Sequence, residues 1–399
     1  MSLAYGEQGQ YSRAEESPMV VDKVLPQIPV TFVDVTKEAR ITGNSAISEQ
    51  LFFEGPGACF LDYDNDGLID LLLTDYGAQG GLSLYHNLGH GKFEDVTSRA
   101  GLDPKSHAVA CSAGDYDNDG YPDLALSFMG RVALFHNEKN GTFKDVSEHL
   151  PIKPNGSLRT ASWIDYDHDG DIDLFLGSSA KGQYKGTPVS DELWRNNGDS
   201  TFTDVSEEKG IAGRGNHWSA VGTDYNNDRA VDIFVAGLDP LLYENPREGK
   251  FVVRQPWDEN SIQENTGIAV ADFDHDGWMD LVTAHFGGAA ALRLWHNDHG
   301  KTFASVPLPK IDLEVAFGVA AFDYDNDGWV DIVVVGAQVS PFPIFDVSIA
   351  KREDGTAVVM AGRLLVRWRS RPALGRSWLE GGDFSVIAEC RYPILCRIN

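Results

Sequence analysis

Apolar and polar positions along this chain fall into short runs rather than helical stripes. The runs DLLLTDY, DLALSF, DLFLGS, DIFVAG, DLVTAH and DIVVVG return about every 50 residues. A strand of small residues precedes most of them, as in SAG before Asp115, ASWI before Asp165 and AVA shortly before Phe273. An aromatic strand ending in Asn follows five of them: LSLYHN, VALFHN, ELWRN, LLYEN and LRLWHN. A Gly- or Asn-rich turn then leads into a fourth strand, as in GKFEDVT, GTFKDVS and STFTDVS. Four short strands per repeat predict the blade of a β-propeller. A doubly wound parallel sheet would need helical patterns of about 10–15 residues between strands, and none is present. The N-terminal stretch PVTFVDVTKEARI (29–41) matches the fourth strand before any first strand has appeared. Residues 30–36 are therefore expected to close the ring and protect both sheet ends.

Between the first and second strand of each repeat lies an acidic loop. DYDNDG stands at 62–67, 115–120 and 323–328, with DYDHDG at 165–170, DYNNDR at 224–229 and DFDHDG at 272–277. Successive loops begin 53, 50, 59, 48 and 51 residues apart. In the first loop the acids fall at positions 1, 3, 5 and 9, as Asp62, Asp64, Asp66 and Asp70. Four carboxylates about 4 Å apart repel by roughly 1 kcal/mol per pair in water and up to about 4 near a protein surface. A cation is the expected compensation. Alternate positions of a tight loop point to one centre, Gly67 permits the sharp turn, and Leu68 can offer its backbone carbonyl. Hard oxygen donors in this number suit Ca²⁺ rather than Zn²⁺. An EF-hand would need a Glu at position 12, where this chain has Leu73.

On these residues the chain resembles the FG-GAP (VCBS-type) repeat family, whose best-known members are the propeller heads of integrin α subunits. D-x-[DN]-x-D-G-x-x-D matches at five loops, and the blade pattern covers about residues 30–340. The resemblance implies five to six Ca²⁺ ions. Its implied ligands beyond the first loop are Asp115, Asp117, Asp119 and Asp123 with the carbonyl of Tyr121, then Asp165, Asp167, Asp169 and Asp173. Asp272, Asp274, Asp276 and Asp280 follow with the carbonyl of Trp278, and Asp323, Asp325, Asp327 and Asp331 with that of Trp329. The third loop adds Asp171 at the carbonyl position. The fourth keeps Asp224, Asn226, Asp228 and Asp232 but has Arg229 in place of Gly, so it is expected to bind most weakly.

The expected fold is all-β: a β-propeller of four-stranded blades with the N-terminal strand closing the ring. Residues 1–27 form an irregular extension, 28–350 the repeat propeller, and 351–399 a degenerate, metal-free seventh blade or an appended tail, which leaves six blades as the alternative. The tail lacks an acidic loop and carries a net charge of +4, against −31 for residues 1–350.

Composition narrows the function. A net charge of −27 argues against nucleic acid, whose phosphates need Lys and Arg. No run of 18 apolar residues is present to span a bilayer. The N-terminus lacks a signal-peptide pattern, yet the resemblance implies an extracellular, periplasmic or cell-surface setting. Four cysteines are too few for a disulfide framework. Cys59 and Cys111 are expected as buried packing residues, and Cys390 and Cys396 are close enough for a local bridge. His86, His136 and His296 recur in register, with Arg195 and Glu244 in the equivalent slots, so they are expected to serve blade architecture. No catalytic motif is present.

The expected role is a monomeric calcium-binding scaffold, integrin α-like, for cell adhesion or other protein or glycan binding. The alternative is a propeller-based carbohydrate-active enzyme, a polysaccharide lyase or hydrolase. The resemblance places partners on the face opposite the acidic loops. Candidate residues there are Lys181, Tyr184 and Lys185 in one loop and Arg214, His217 and Trp218 in another.

Overall fold

In the computed structural model the described residues are 33–34, 36–41, 57–75, 81–128, 130–149, 157–179, 189–255, 257, 265–285, 291–306, 315–322, 330–337, 347–351, 357–361, 364–369 and 383–386. They form six four-stranded antiparallel sheets and one three-stranded sheet. The first sheet takes Gly57–Leu61, Asp70–Asp75, Gly81–Asn87 and Phe93–Asp95. The second takes Ala108–Gly114, Asp123–Phe128, Arg131–Asn137 and Phe143–Asp145. The third takes Ser157–Ile164, Asp173–Ser179, Glu192–Asn196 and Phe202–Asp204. The fourth takes His217–Thr223, Asp232–Gly237, Leu241–Glu244 and Val252–Arg254. The fifth takes Asn265–Ala271, Asp280–His285, Leu292–Asn297 and Phe303–Val306.

In these five sheets the strands pair in chain order, as the four-strand repeat predicts. The sixth sheet departs from it. Its first two strands, Val315–Phe322 and Asp331–Ala337, are completed by Leu364–Arg369 and Asp383–Val386 from the basic tail. The intervening hairpin, Val347–Lys351 and Ala357–Ala361, instead pairs with Val33–Asp34, so that residues preceding the first sheet share a sheet with residues following Asp331–Ala337.

The sequence pattern follows from how the sheets stack. Second strands of sheets two to five are buried along their whole length. A strand covered on both faces reads as a continuous apolar run rather than an alternating one. Fourth strands in the first three sheets bury only their leading Phe and expose the next two residues, as outer edges should. First strands of successive sheets lie against one another from the first sheet to the sixth. The apolar interior is accordingly a series of slabs between sheets. Leu72 and Leu84 of the first sheet pack with Leu124 and Phe143 of the second, and Leu134 of the second with Trp163 and Leu174 of the third.

Cys59 and Cys111 correct the expectation of simple packing residues: they form a disulfide between the first strands of sheets one and two. A bridge across 52 residues constrains the unfolded chain by roughly 4 kcal/mol in the chain-entropy picture.

The residues after Val33–Asp34 also have a place. Thr36–Ala39 is a short helix, and Ala39 and Ile41 are buried against Leu71, Tyr85 and Phe93 of the first sheet. Ala100 and Leu102, which follow the fourth strand of the first sheet, pack on the second sheet in the same way, with the Phe143 amide donating to the Ala100 carbonyl.

Candidate metal centres

Each described acidic loop is held by its own carboxylates. The position-1 Asp accepts two backbone N–H groups: Asp62 from Asp66 and Gly67 at 3.1 and 2.9 Å, Asp115 from Asp119 and Gly120 at 2.9 and 2.8 Å. Asp224 and Asp272 repeat this in the fourth and fifth loops. The position-5 Asp accepts the position-7 N–H, from Leu68, Tyr121, Asp171 and Trp278 in turn. Position 4 is left-handed in every described loop, at Asn65, Asn118, His168, Asn227 and His275. Position 6 is also left-handed, which Gly67, Gly120, Gly170 and Gly277 adopt freely. Arg229 sits there at φ 70° and bears the cost.

The position-9 Asp is the deepest member. Asp70, Asp123, Asp173, Asp232 and Asp280 are all fully buried. Asp123 accepts the Asn137 N–H at 2.7 Å on one oxygen and the Tyr116 N–H at 3.2 Å on the other, tying loop to third strand. Asp70, Asp173 and Asp280 repeat both contacts. The Asn at the end of the third strand in sheets two to five gains a role that the sequence pattern left unassigned. Asn137, Asn196, Asn245 and Asn297 each donate their side-chain amide to the position-2 carbonyl of the preceding loop, at 2.6–2.8 Å. They clamp neighbouring sheets together. Above this clamp the position-2 aromatic packs across the same junction, Tyr63 on Phe143, Tyr116 on Phe202 and Tyr166 on Phe251.

The loops also touch one another. Asn65 donates to the Gly120 carbonyl at 2.8 Å, and Asn227 to that of Gly277 at 3.1 Å. Asn118 donates to the Asp171 carboxylate at 2.7 Å, so this extra acid turns towards loop two.

Electrostatics leave the loops short of positive charge. Burial pushes Asp70 up to about 6, Asp123, Asp232 and Asp274 to about 7, and Asp173 to about 8, with neighbouring carboxylates adding to the shift. Burial likewise raises Asp117, Asp165, Asp167 and Asp280. Asp64 Oδ1, Asp117 Oδ1, Asp165 Oδ1 and Asp232 Oδ2 are buried without any hydrogen-bond partner. Native structures rarely leave such oxygens unmatched. A hard cation fits this donor set, satisfying the orphaned oxygens and returning the carboxylates to their ionised form. Groups that could hold a metal ion include Asp62, Asp64 and Asp66, and Asp115, Asp117 and Asp119.

The strand-end histidines, expected to serve blade architecture, lie beside these centres, and His86 and His296 hydrogen-bond the position-9 Asp. His86, His136 and His296 each lie with Asp residues at positions 3 and 9 in a cluster able to hold a metal. Only the in-register recurrence of His could have signalled it. In the fourth sheet Glu244 fills the slot and is committed to the Tyr225 hydroxyl at 2.7 Å and to Arg254 at 3.0 Å. The fourth loop neutralises itself further, since the Asn226 amide donates to Asp228 and Arg247 to the Asp228 carbonyl.

Other expected residues fall as follows. Trp278 packs on His299 with ring centroids 5.4 Å apart, and Lys139 lies over Tyr121 while pairing with Asp119 at 3.0 Å. Asp331 heads the second strand of the sixth sheet. Asp323, Asp325, Asp327 and Trp329 lie outside the described residues, as do Lys181, Tyr184, Lys185, Cys390 and Cys396. His217 departs from its expected role as a surface ligand contact. It is fully buried, one ring nitrogen against Asp191 and the other 2.9 Å from the Asp239 carbonyl, and the Tyr243 hydroxyl also donates to Asp191. Arg214 is exposed, and Trp218 is half-buried with its ring N–H donating to Ser179.

Comparison with known proteins agrees with this geometry. Over 155 residues, 36% of this chain, it is 31% identical to mouse (Mus musculus) cartilage acidic protein 1 and 30% identical to the human (Homo sapiens) protein. The match spans only 23% and 22% of those relatives' lengths. A solved lectin from Agrocybe aegerita, whose structure addresses recognition of non-reducing terminal N-acetylglucosamine, superposes on 77% of this chain and 85% of its own at 17% identity. Its TM-score of 0.47 is too low to carry a functional conclusion. The FG-GAP-like repeat matches residues 62–126, 115–176, 224–283 and 272–334, more than half of the sequence, each match starting on the first Asp of an acidic loop. The chain belongs to the FG-GAP-like repeat family.

Proposed function

We propose that this protein is a calcium-stabilised β-propeller that works outside the cytosol as a non-catalytic scaffold for a protein or glycan partner. The observation that carries the reading is the set of buried carboxylate oxygens without partners in four successive loops, beside position-9 acids pushed towards protonation. Oxygen-only donors at positions 1, 3, 5 and 9 favour Ca²⁺. The disulfide supports an oxidising compartment, and so does likeness to relatives named for cartilage.

The ring is proposed to have seven blades, the last being the metal-free sheet that joins Val33–Asp34 to the hairpin 347–361. Supporting this, Ala39 and Ile41 pack on the first sheet as Ala100 and Leu102 pack on the second. The partner face is proposed opposite the acidic loops, with Arg214 and Trp218 among its contacts. Lys181, Tyr184 and Lys185 belong to the same proposal.

Thermal unfolding in excess EGTA and then in 1 mM Ca²⁺, with bound ions counted by calorimetry, tests the metal reading. With dissociation constants near 10⁻⁴ M, each site should add roughly 1.4 kcal/mol. Five or six bound ions and a large upward shift in Tm are expected. An unchanged Tm with no bound Ca²⁺ would reduce the loops to acidic turns and sink the proposal.

A further inference from the structure

Resting on the reading of the acidic loops as cation sites, we propose that the centres of sheets one, two and five take an imidazole nitrogen as a ligand. They thereby accept a first-row transition ion such as Mn²⁺ or Zn²⁺, while the centres of sheets three and four bind through oxygen alone.

The same geometry occurs three times. His86 Nδ1 lies 3.2 Å from Asp70 Oδ1 and 3.5 Å from Asp64 Oδ2, and its Nε2 lies 4.0 Å from Asp66 Oδ2. His136 Nδ1 lies 3.2 Å from Asp123 Oδ1 and 3.5 Å from Asp117 Oδ2. His296 Nδ1 lies 3.2 Å from Asp280 Oδ1 and 3.7 Å from Asp274 Oδ2. Metal–ligand bonds of about 2.1 Å put neighbouring ligand atoms roughly 3.0 Å apart in an octahedron and 3.4 Å apart in a tetrahedron. The Nδ1 spacings of 3.2–3.7 Å lie close to those edges, and in the first and third centres the 3.2 Å contact is a hydrogen bond to the position-9 carboxylate that a bound ion would replace.

The rings are also held in place. Tyr63 meets His86 edge-on with centroids 5.8 Å apart, and Tyr116 meets His136 at 6.3 Å. In the second centre, His136 Nδ1 and Asp117 Oδ1 are both buried without a hydrogen-bond partner, so a nitrogen and an oxygen donor await the same ion.

The chemistry divides the sites. Imidazole is a borderline ligand that suits Zn²⁺ best among these ions and that Mn²⁺ accepts beside carboxylates, whereas Ca²⁺ selects oxygen. The third sheet carries Arg195 in the slot, and the fourth carries Glu244, already engaged by Tyr225 and Arg254. Neither offers a nitrogen lone pair.

Electron spin-echo spectroscopy of the full chain loaded with Mn²⁺ alone reads the proposed bond directly. Modulation from a directly bound nitrogen is expected at low Mn²⁺ loading. The variant His86→Gln, His136→Gln, His296→Gln should lose that modulation and weaken Mn²⁺ binding on the order of ten-fold or more. Its Ca²⁺ binding should change by no more than about two-fold. Bound Mn²⁺ without nitrogen modulation, or modulation that persists in the triple variant, overturns the histidine ligation while leaving the acidic loops as cation sites. A chain that binds neither Mn²⁺ nor Ca²⁺ removes the underlying reading instead. Should the triple variant fail to fold, the wild-type spectrum decides by itself.

Discussion

The second and fourth acidic loops share one scaffold and the acids at positions 1, 5 and 9, and differ at three other residues around the centre. Asp115 and Asp224 accept the same pair of backbone N–H groups, at 2.9 and 2.8 Å in one and 3.0 and 2.8 Å in the other. Asp123 and Asp232 are equally buried and accept the Asn137 and Asn245 amides at 2.7 Å. Yet Asp117 becomes Asn226, Gly120 becomes Arg229, and His136 becomes Glu244. The loop backbone is therefore specified by positions 1, 5 and 9 through local hydrogen bonds. Positions 3 and 6 and the strand-end residue differ between the two loops while these backbone hydrogen bonds are kept.

The largest expected effect lies in pH. In the metal-free protein Asp123 and Asp232 stand near 7, Asp173 near 8 and Asp70 near 6, against about 3.9 unfolded. A folded value above the unfolded one favours the protonated carboxyl in the native state. Its contribution is complete below about pH 4 and is lost as pH rises through 6 to 8. In EGTA, denaturant midpoints should fall between pH 5 and pH 8 by several kcal/mol equivalent, several acids summing. Saturating Ca²⁺ should abolish or reverse the slope, because the bound carboxylates must be ionised. A metal-free midpoint that rises with pH would contradict the burial assigned to both loops.

Next come the two pins. Asp123→Ala and Asp232→Ala each strand at least the buried N–H of Asn137 or Asn245, and each should cost about 1–3 kcal/mol in metal-free urea melts. Similar losses at both sites would sharpen the separation of scaffold from ligand set. If only Asp123→Ala destabilised, the fourth loop would not share that scaffold.

Arg229→Gly carries the smallest effect on stability. Relief of the left-handed strain, less the entropy that glycine adds to the unfolded chain, should stabilise by roughly 0.5–1 kcal/mol. Removing the guanidinium should also tighten Ca²⁺ at this loop, visible as an additional or stronger step in calorimetry. An unchanged isotherm would mean that the guanidinium does not limit Ca²⁺ binding at this loop.

What the chain announces and what it conceals divide by range. Asp62 to Asp70 span nine positions, so one loop supplies its own turn, its own hydrogen bonds and most of its donors, and alternate acids advertise the geometry. The continuous apolar second strands likewise announce burial on both faces, and hence stacked sheets. Partners brought together from afar leave no such trace. Asn137 reaches the Tyr63 carbonyl across 74 residues, and Cys59 meets Cys111 across 52. The Asn was visible as a repeat but its clamp was not, and the cysteines stood in successive first strands without revealing that those strands lie side by side. His217 read as a loop residue beside Trp218, although it is the buried first residue of an inner strand, and its neighbours Asp191 and Tyr243 come from just before the third strand of sheet three and from within that of sheet four.

By itself, then, the sequence determined the four-strand period, the acidic loops and the departure of the fourth from their pattern, because each depends on residues a few positions apart. Only the tertiary structure decided that the basic tail completes the sixth sheet, that Val33–Asp34 pairs with Val347–Lys351, and that His86, His136 and His296 face the acids. Those outcomes rest on which strands become neighbours, a matter of packing between sheets that local patterning does not encode.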